Sequence, residues 1–289
     1  MWIVLALGAA FLTSFNPILY KRMLKEADSL VVVWGLSLLA LPLLALFTFV
    51  STPQIPKTDI FFVLGIGGSA VLNVIAQLAS TRALKLADVS LVTSLLTFSP
   101  VFTVMIAAFL LKEIPSAQGL VGVGLILIGA YWLTRNENAS WLASFNALAL
   151  TPPILLVLLA GLLWAITPLF EKTAILHTNP ESPRLAAFTA NALLTLLLTP
   201  SSVRQGKTSI ARLFHYRREL LLAGLIAGVA PILGYTAFSL GYVGYVTTLF
   251  KLSTLMTVIW SFVFFKERGI QQRLPASIIM VIGTILIAS

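Results

Sequence analysis

Cysteine is absent from the 289 residues, so neither a disulfide framework nor a thiolate metal site is available. Charge is scarce as well. Asp, Glu, Lys and Arg make up 10% of the chain, against roughly 25% in a soluble domain. Hydrophobic residues make up 58%, so the chain reads as an integral membrane protein with little left for a soluble domain. Acidic residues are the rarer sign, and the net charge is +9. The basic residues lie in short loops between apolar runs. That pattern points to anionic lipid headgroups and the positive-inside rule, not to nucleic acid. The two histidines, His177 and His215, both fall in expected loops, and no apolar run holds a carboxylate pair. An intramembrane serine protease around Gly67-Gly-Ser69 would lack its buried base, and an aspartyl protease its dyad. Gly65-Ile-Gly-Gly-Ser-Ala70 imitates a dinucleotide fingerprint without its strand-turn-helix context. No enzyme activity, cofactor or metal is expected.

What is present is a series of apolar runs. A helix needs about 20 mostly apolar residues to cross a bilayer. Ten runs meet that need, near 2–20, 30–50, 60–81, 89–111, 116–134, 153–170, 183–199, 220–240, 243–265 and 271–288. Turn chemistry separates them at Ser51–Pro56, Thr151–Pro153 and Asn179–Pro183. Lys21, Arg22 and Lys25 follow the first run instead of preceding it, the reverse of a secretory signal, so a retained helix is expected.

One segment is written twice. Ser99-Pro-Val-Phe-Thr-Val-Met-Ile-Ala-Ala-Phe-Leu-Leu-Lys-Glu113 aligns without gaps on Ser253-Thr-Leu-Met-Thr-Val-Ile-Trp-Ser-Phe-Val-Phe-Phe-Lys-Glu267. Asn16-Pro17-Ile-Leu-Tyr-Lys21 likewise matches Thr167-Pro168-Leu-Phe-Glu-Lys172. The expected fold is all-α and membrane-integral, with ten transmembrane helices as two inverted five-helix repeats. The repeats are 1–135 and 153–289, joined by 136–152. Five is odd, so the second repeat enters the membrane in the opposite sense. Transporters place their binding sites between such halves.

These features resemble the drug/metabolite transporter superfamily, and within it the EamA-type exporters. The residues that carry the resemblance are Pro100-Val-Phe, Leu111-Lys-Glu-Ile, Gln118-Gly119, Gly122 and Leu127-Ile-Gly129 in the first half. In the second they are Ser253-Thr, Phe265-Lys-Glu267 and Ile282-Gly283. Thr254 stands where Pro100 does, and Arg273 where Gly119 does. The resemblance implies transport of small metabolites such as amino acids, sugars or nucleotide derivatives, with both termini in the cytoplasm. The charge count says otherwise. Fourteen Lys and Arg fall on one side, against Lys57, Lys112, Lys172 and Arg184 on the side of the termini, with Lys251 inside a run. By that bias both termini lie outside. The expected location is the cell membrane, of the bacterial inner-membrane kind.

Lys251 lies about 12 Å into the ninth run at 1.5 Å per residue, near mid-bilayer. Either it binds a substrate carboxylate or phosphate, or it pairs with Glu171 or snorkels to an interface. Asn73 and Gln77 are four apart and share a helix face. They offer hydrogen bonds to a substrate, or act as interhelical glue. Asn16 and Asn191 suit glue, while Thr13 and Ser14 suit bonds to their own helix. Trp164, Tyr235 and Phe238 form a ligand wall or ordinary packing. Trp2, Trp34, Trp132 and Trp141 suit the interfacial belt. Pro17, Pro100, Pro168 and Pro231 interrupt spans, as hinges or as packing bends. Tyr242 and Tyr245, which flank a tight turn at Gly241 and Gly244, are candidate gates at the outer mouth. Gly224 and Gly228 mark a close helix contact.

The expected function is a secondary transporter of a small metabolite, an amino acid or related organic anion, working by alternating access. Its site combines Lys251, Asn73, Gln77, Trp164, Tyr235 and Phe238. Its partners are that substrate and membrane lipid, and a single copy of the chain is the expected unit. The competing class is a non-transport membrane protein, lipid-binding or an assembly subunit.

Overall fold

The computed structural model describes residues 1–24, 26–50, 55–86, 96, 99–134, 151–204, 207–265 and 270–288. Trp141 and the Lys266-Glu267 pair lie outside them. The helices are α1 (Trp2–Thr13), α2 (Asn16–Met23), α3 (Ser29–Phe49), α4 (Ile60–Leu86), α5 (Ser99–Leu110), α6 (Ala117–Thr134) and α7 (Pro152–Leu176). They continue as α8 (Pro183–Arg204), α9 (Lys207–His215), α10 (Arg217–Leu240), α11 (Val243–Phe250), α12 (Leu252–Phe265) and α13 (Ile270–Ala288). Two short strands, β1 (Lys57–Thr58) and β2 (Thr178–Asn179), pair antiparallel.

Among the described residues six stretches are long and apolar enough to cross a membrane: Trp2–Tyr20, Ser29–Phe49, Ile60–Ser80, Pro152–Leu176, Pro183–Arg204 and Arg217–Leu240. Several expected boundaries change. The first run is two helices with a break at Ser14 and Phe15. Pro17 has no N–H to continue the ladder. Thr13 and Ser14 donate their hydroxyls back to Ala9 O (2.8 Å) and Phe11 O (2.5 Å). The ninth run is also two helices, α11 and α12, and Lys251 is the turn residue between them. α7 continues six residues past its expected end and takes Glu171 into its interior. His215 ends a helix instead of lying in a loop. Pro42, Pro200 and Pro275 also lie inside helices, beyond the prolines singled out from sequence.

The chain divides into two compact units, and each draws on both ends of the sequence. One comprises Met1–Val74 and Thr167–Tyr242, the other Ile75–Ile166 and Val243–Ser289. In the first, Met23, Val31, Val32 and Leu36 pack on Leu213, Leu220 and Ala223. α10 lies on α3 where Gly224 and Gly228 meet Leu39 and Leu43; a Cβ on either glycine would come within 2.9 Å of those side chains. Asn191 donates to Ser37 O (2.8 Å), and Trp34 Nε1 to Thr199 Oγ1 (3.0 Å). Both are interhelical bonds of the kind that joins membrane helices.

In the second unit α6 packs along α13 with backbones nearly touching. A Cβ on Gly122 would lie 2.7 Å from Gly283 O, and one on Gly283 would lie 2.7 Å from Gly122 O. Gly129 lies against Met280 and Ala276 of the same pair. Large apolar side chains such as Phe109 and Leu196 remain exposed. That suits a chain whose outer face meets lipid instead of water.

Candidate functional site

The first unit holds a polar cluster built on a buried carboxylate. Glu171 is 8% exposed. Its Oε1 accepts a hydrogen bond from Ser69 Oγ (3.0 Å) and a longer one from Asn73 Nδ2 (3.4 Å). The Tyr235 hydroxyl lies close to Glu171 and Ser69. Glycine makes this reach possible. A Cβ on Gly65 would come within 2.8 Å of Phe170 O, and one on Gly68 within 2.7 Å of the Phe170 ring. α4 therefore sits almost on the backbone of α7, and a side chain as short as Ser69 spans the gap. Gly65-Ile-Gly-Gly-Ser-Ala70 is thus a packing surface that ends in a hydrogen-bond donor.

The second unit holds Lys251. It is half-buried in the turn between α11 and α12, where its backbone N–H returns to Thr248 O (3.0 Å). Its Nζ donates to Leu96 O at 3.2 Å. The Leu96 side chain packs with Trp164 on Ala76, Ala79 and Ala160, so Lys251 and Trp164 share a neighbour. Pro168 is buried within α7, and its missing N–H leaves the Trp164 carbonyl without its helical partner.

The residues singled out from sequence therefore fall into two groups. Asn73, Tyr235 and Phe238 belong to the first unit, where the Tyr235 and Phe238 rings tilt against each other at 6.2 Å. Lys251, Gln77 and Trp164 belong to the second. Asn73 and Gln77 share a helix, yet Asn73 turns to Glu171 and Ser69. Pro100 is buried as the second residue of α5, and Pro17 follows the break after α1. Tyr242 is exposed between α10 and α11. Asn16 Oδ1 is buried with no hydrogen-bond partner among the described residues.

Two features emerge only in three dimensions. Glu113, of the Lys-Glu motif, is buried and accepts the Val243 N–H at 2.6 Å, capping α11. A carboxylate suits the positive end of a helix dipole. Lys112 before it takes a left-handed backbone (φ 55°) that turns the chain after α5. Tyr245 of α11 lies over Gly119, and its hydroxyl accepts the Ser116 N–H at 3.0 Å.

Outside the spans, two contacts tie loops together. His177 Nδ1 lies 2.7 Å from Asp59 Oδ2 and holds that carboxyl below its ordinary range. The Tyr216 hydroxyl donates to Glu26 (2.7 Å), which pushes the phenol up. No group of His, Asp or Glu among the described residues could hold a metal ion.

No curated protein matches the chain. Of the 27 chains of solved structures that match, a crystal structure does so with a TM-score of 0.79 at 13% identity, over 99% of this chain and 98% of that one. At such identity the likeness speaks for the fold. The model of the EamA-like transporter family matches residues 1–135 and again 151–289. The chain therefore belongs to the EamA-like transporter family, multi-pass membrane transporters of the drug/metabolite type.

Proposed function

We propose that this protein is a secondary transporter of a small metabolite, an amino acid or related organic anion, exported or exchanged by alternating access. The observation that carries the reading is Lys251. It is an ionisable residue at the break between two half-helices, bonded to a carbonyl from the other matched stretch. Transporters use interrupted helices to bring backbone dipoles and charged groups to a substrate. An intramembrane cation defaults to a functional role. Gln77 and Trp164 lie in the same unit as Lys251. Asn73, Tyr235 and Phe238 supply polar and aromatic groups elsewhere in the chain.

The proposed topology is ten spans in two inverted repeats, 1–135 and 153–289, with both termini outside and one copy of the chain as the working unit in the cell membrane. Loop pairings support the even count of spans between the paired loops. β1 pairs with β2, which puts those two loops on one side, and α4, α5, α6 and α7 run between them, an even number of crossings. The Tyr216–Glu26 bond likewise joins the loop after α2 to the loop before α10.

The test is thermal stabilisation of purified wild type beside Lys251→Ala, against amino acids, organic acids, sugar phosphates and cationic dyes. Anions or zwitterions should stabilise wild type and not the variant. Equal stabilisation of both by cations would refute the substrate class. A cytoplasm-dependent reporter that is active on the C-terminus would reverse the orientation.

A further inference from the structure

The Glu171 cluster is not needed to explain how Lys251 meets a substrate. It is nonetheless the most fully built polar site among the described residues. Glu171 sits inside a membrane-crossing helix. Three side chains surround it from two other segments: Ser69 and Asn73 on α4 donate to it, and Tyr235 on α10 lies close by. All three are uncharged. Lys172, next to Glu171 on α7, directs its Nζ to Gly241 O at 2.8 Å. Tyr235 is the titratable side chain that faces the carboxyl from α10, and α4 presents only Ser69 and Asn73.

The identity of those three groups separates two kinds of site. A carboxylate held by lysine or arginine is fixed in its charged state, because those groups donate and never accept. Hydroxyls both donate and accept. With Glu171 ionised, Ser69 and Asn73 donate to it. With Glu171 protonated, its new O–H can donate to Ser69 Oγ, whose own hydrogen rotates to another acceptor. Ser69 therefore serves either state of the carboxyl without a heavy atom moving.

We propose that Glu171, held by Ser69 and Asn73 with Tyr235 beside it, is a reversible proton-binding site within the membrane. The carboxylate takes one proton from water to become a carboxylic acid and returns it to water, with no other bond made or broken. That this proton is coupled to substrate movement rests on the transporter reading above.

The first test needs no substrate. Infrared difference spectra between neutral and acid pH are recorded on the full-length protein in detergent, as wild type, Glu171→Gln, Ser69→Ala and Asp59→Asn. Wild type should gain the carbonyl band of a hydrogen-bonded carboxylic acid. Glu171→Gln should lose that band, and Asp59→Asn, altered in an exposed loop, should keep it. Ser69→Ala should keep the band with a shifted frequency and pH midpoint, because the shorter of its two bonds is gone. An intact band in Glu171→Gln overturns the proposal. So does loss of the wild-type band when sodium replaces choline at constant pH, since a metal cation would then own the site. If Glu171→Gln does not fold, an unshifted band in Ser69→Ala overturns it instead.

Coupling is read separately in proteoliposomes. A pH gradient should drive accumulation of a panel substrate in wild type, and Glu171→Gln should lose that accumulation. Counterflow without any response to the gradient would refute coupling while leaving the transporter reading intact. No flux of any kind would count against the transporter reading, and the infrared result would stand.

Discussion

Replacing Gly122 by alanine would force a methyl group into the space between α6 and α13. The new Cβ would lie 2.7 Å from Gly283 O, 2.9 Å from the Ile287 side chain and 3.1 Å from Ile287 N. Two of these neighbours are backbone atoms of a helix, so no rotamer change relieves them. The helices must part by about 0.5 Å. Such a gap forfeits roughly a quarter of the dispersion well of each contact, and about 40 contacts at ~0.15 kcal/mol then lose ~1.5 kcal/mol. Overpacking elsewhere costs about 1–3 kcal/mol, in agreement. The same holds for Gly283→Ala, whose Cβ would meet Gly122 O at 2.7 Å and Ile126 N at 3.0 Å. The two glycines face each other's carbonyls, so once one substitution has parted the helices the second costs less. The double variant should be destabilised by less than the sum of the singles, with an interaction of roughly 0.5–1 kcal/mol.

Gly124 supplies the control. It lies on the same helix with nothing within 4 Å of its Cβ position. Gly124→Ala should be neutral or should stabilise by up to about 1 kcal/mol, the ordinary preference of a helix for alanine. The assay is thermal unfolding in detergent. A melting temperature for Gly122→Ala equal to that of Gly124→Ala would refute the argument, because close backbone approach would then carry no energetic weight.

Lys112→Gly should stabilise by roughly 0.5–1 kcal/mol in the same melts. It relieves a left-handed residue costing about 1–2 kcal/mol and adds glycine's chain entropy of ~0.5–1 kcal/mol. Glu113→Ala should destabilise by about 1–3 kcal/mol, because the Val243 N–H loses its acceptor, whereas Glu113→Gln keeps an acceptor oxygen and should lose much less. The Asp59–His177 contact lowers the folded-state pKa of Asp59, so its stabilisation is present above the ordinary carboxylate range near ~3.9. It is lost as pH falls through the lowered value. The melting difference between wild type and Asp59→Asn should shrink on acidification, and a growing difference would be the contrary result. Chains cut in the 136–150 connection should fold when co-expressed and aggregate when made singly, because each compact unit takes residues from both sides of the cut. Soluble, monodisperse single halves in detergent would refute that.

The helical membrane class and most span positions are legible from apolar runs, because each helix must cover its own backbone in lipid. The breaks are not. Ser14, Phe15 and Lys251 are one or two residues amid apolar neighbours, and a window of ~20 residues averages them away. The expected run 153–170 ends just before Glu171, because an apolar count stops at the first charge. The helix continues because Ser69, 102 residues earlier, satisfies that carboxylate. Nothing in the spacing of Asn73 and Gln77 tells that one belongs with Glu171 and the other lies in the unit of Lys251. The bond of Trp34 to Thr199 crosses 165 residues and has no local signature.

The motif residues make contacts of one kind. Glu113, in the first matched stretch, caps Val243 in the second. Gly119 lies beneath Tyr245, Gly122 against Gly283, and Gly129 against Met280. Ser69 donates to Glu171, and Leu96 accepts from Lys251. Each contact joins one matched stretch to the other within a single compact unit. A chain that matches one family model twice must hold the two matched stretches together by surfaces each of them carries. Small residues and capping carboxylates do this in lipid, where apolar packing alone gives no preference for protein over solvent. The same requirement explains why the repeats are visible in the sequence although the units are not. The repeat is recorded in the order of the residues, whereas each unit is recorded only in the pairs that close across it.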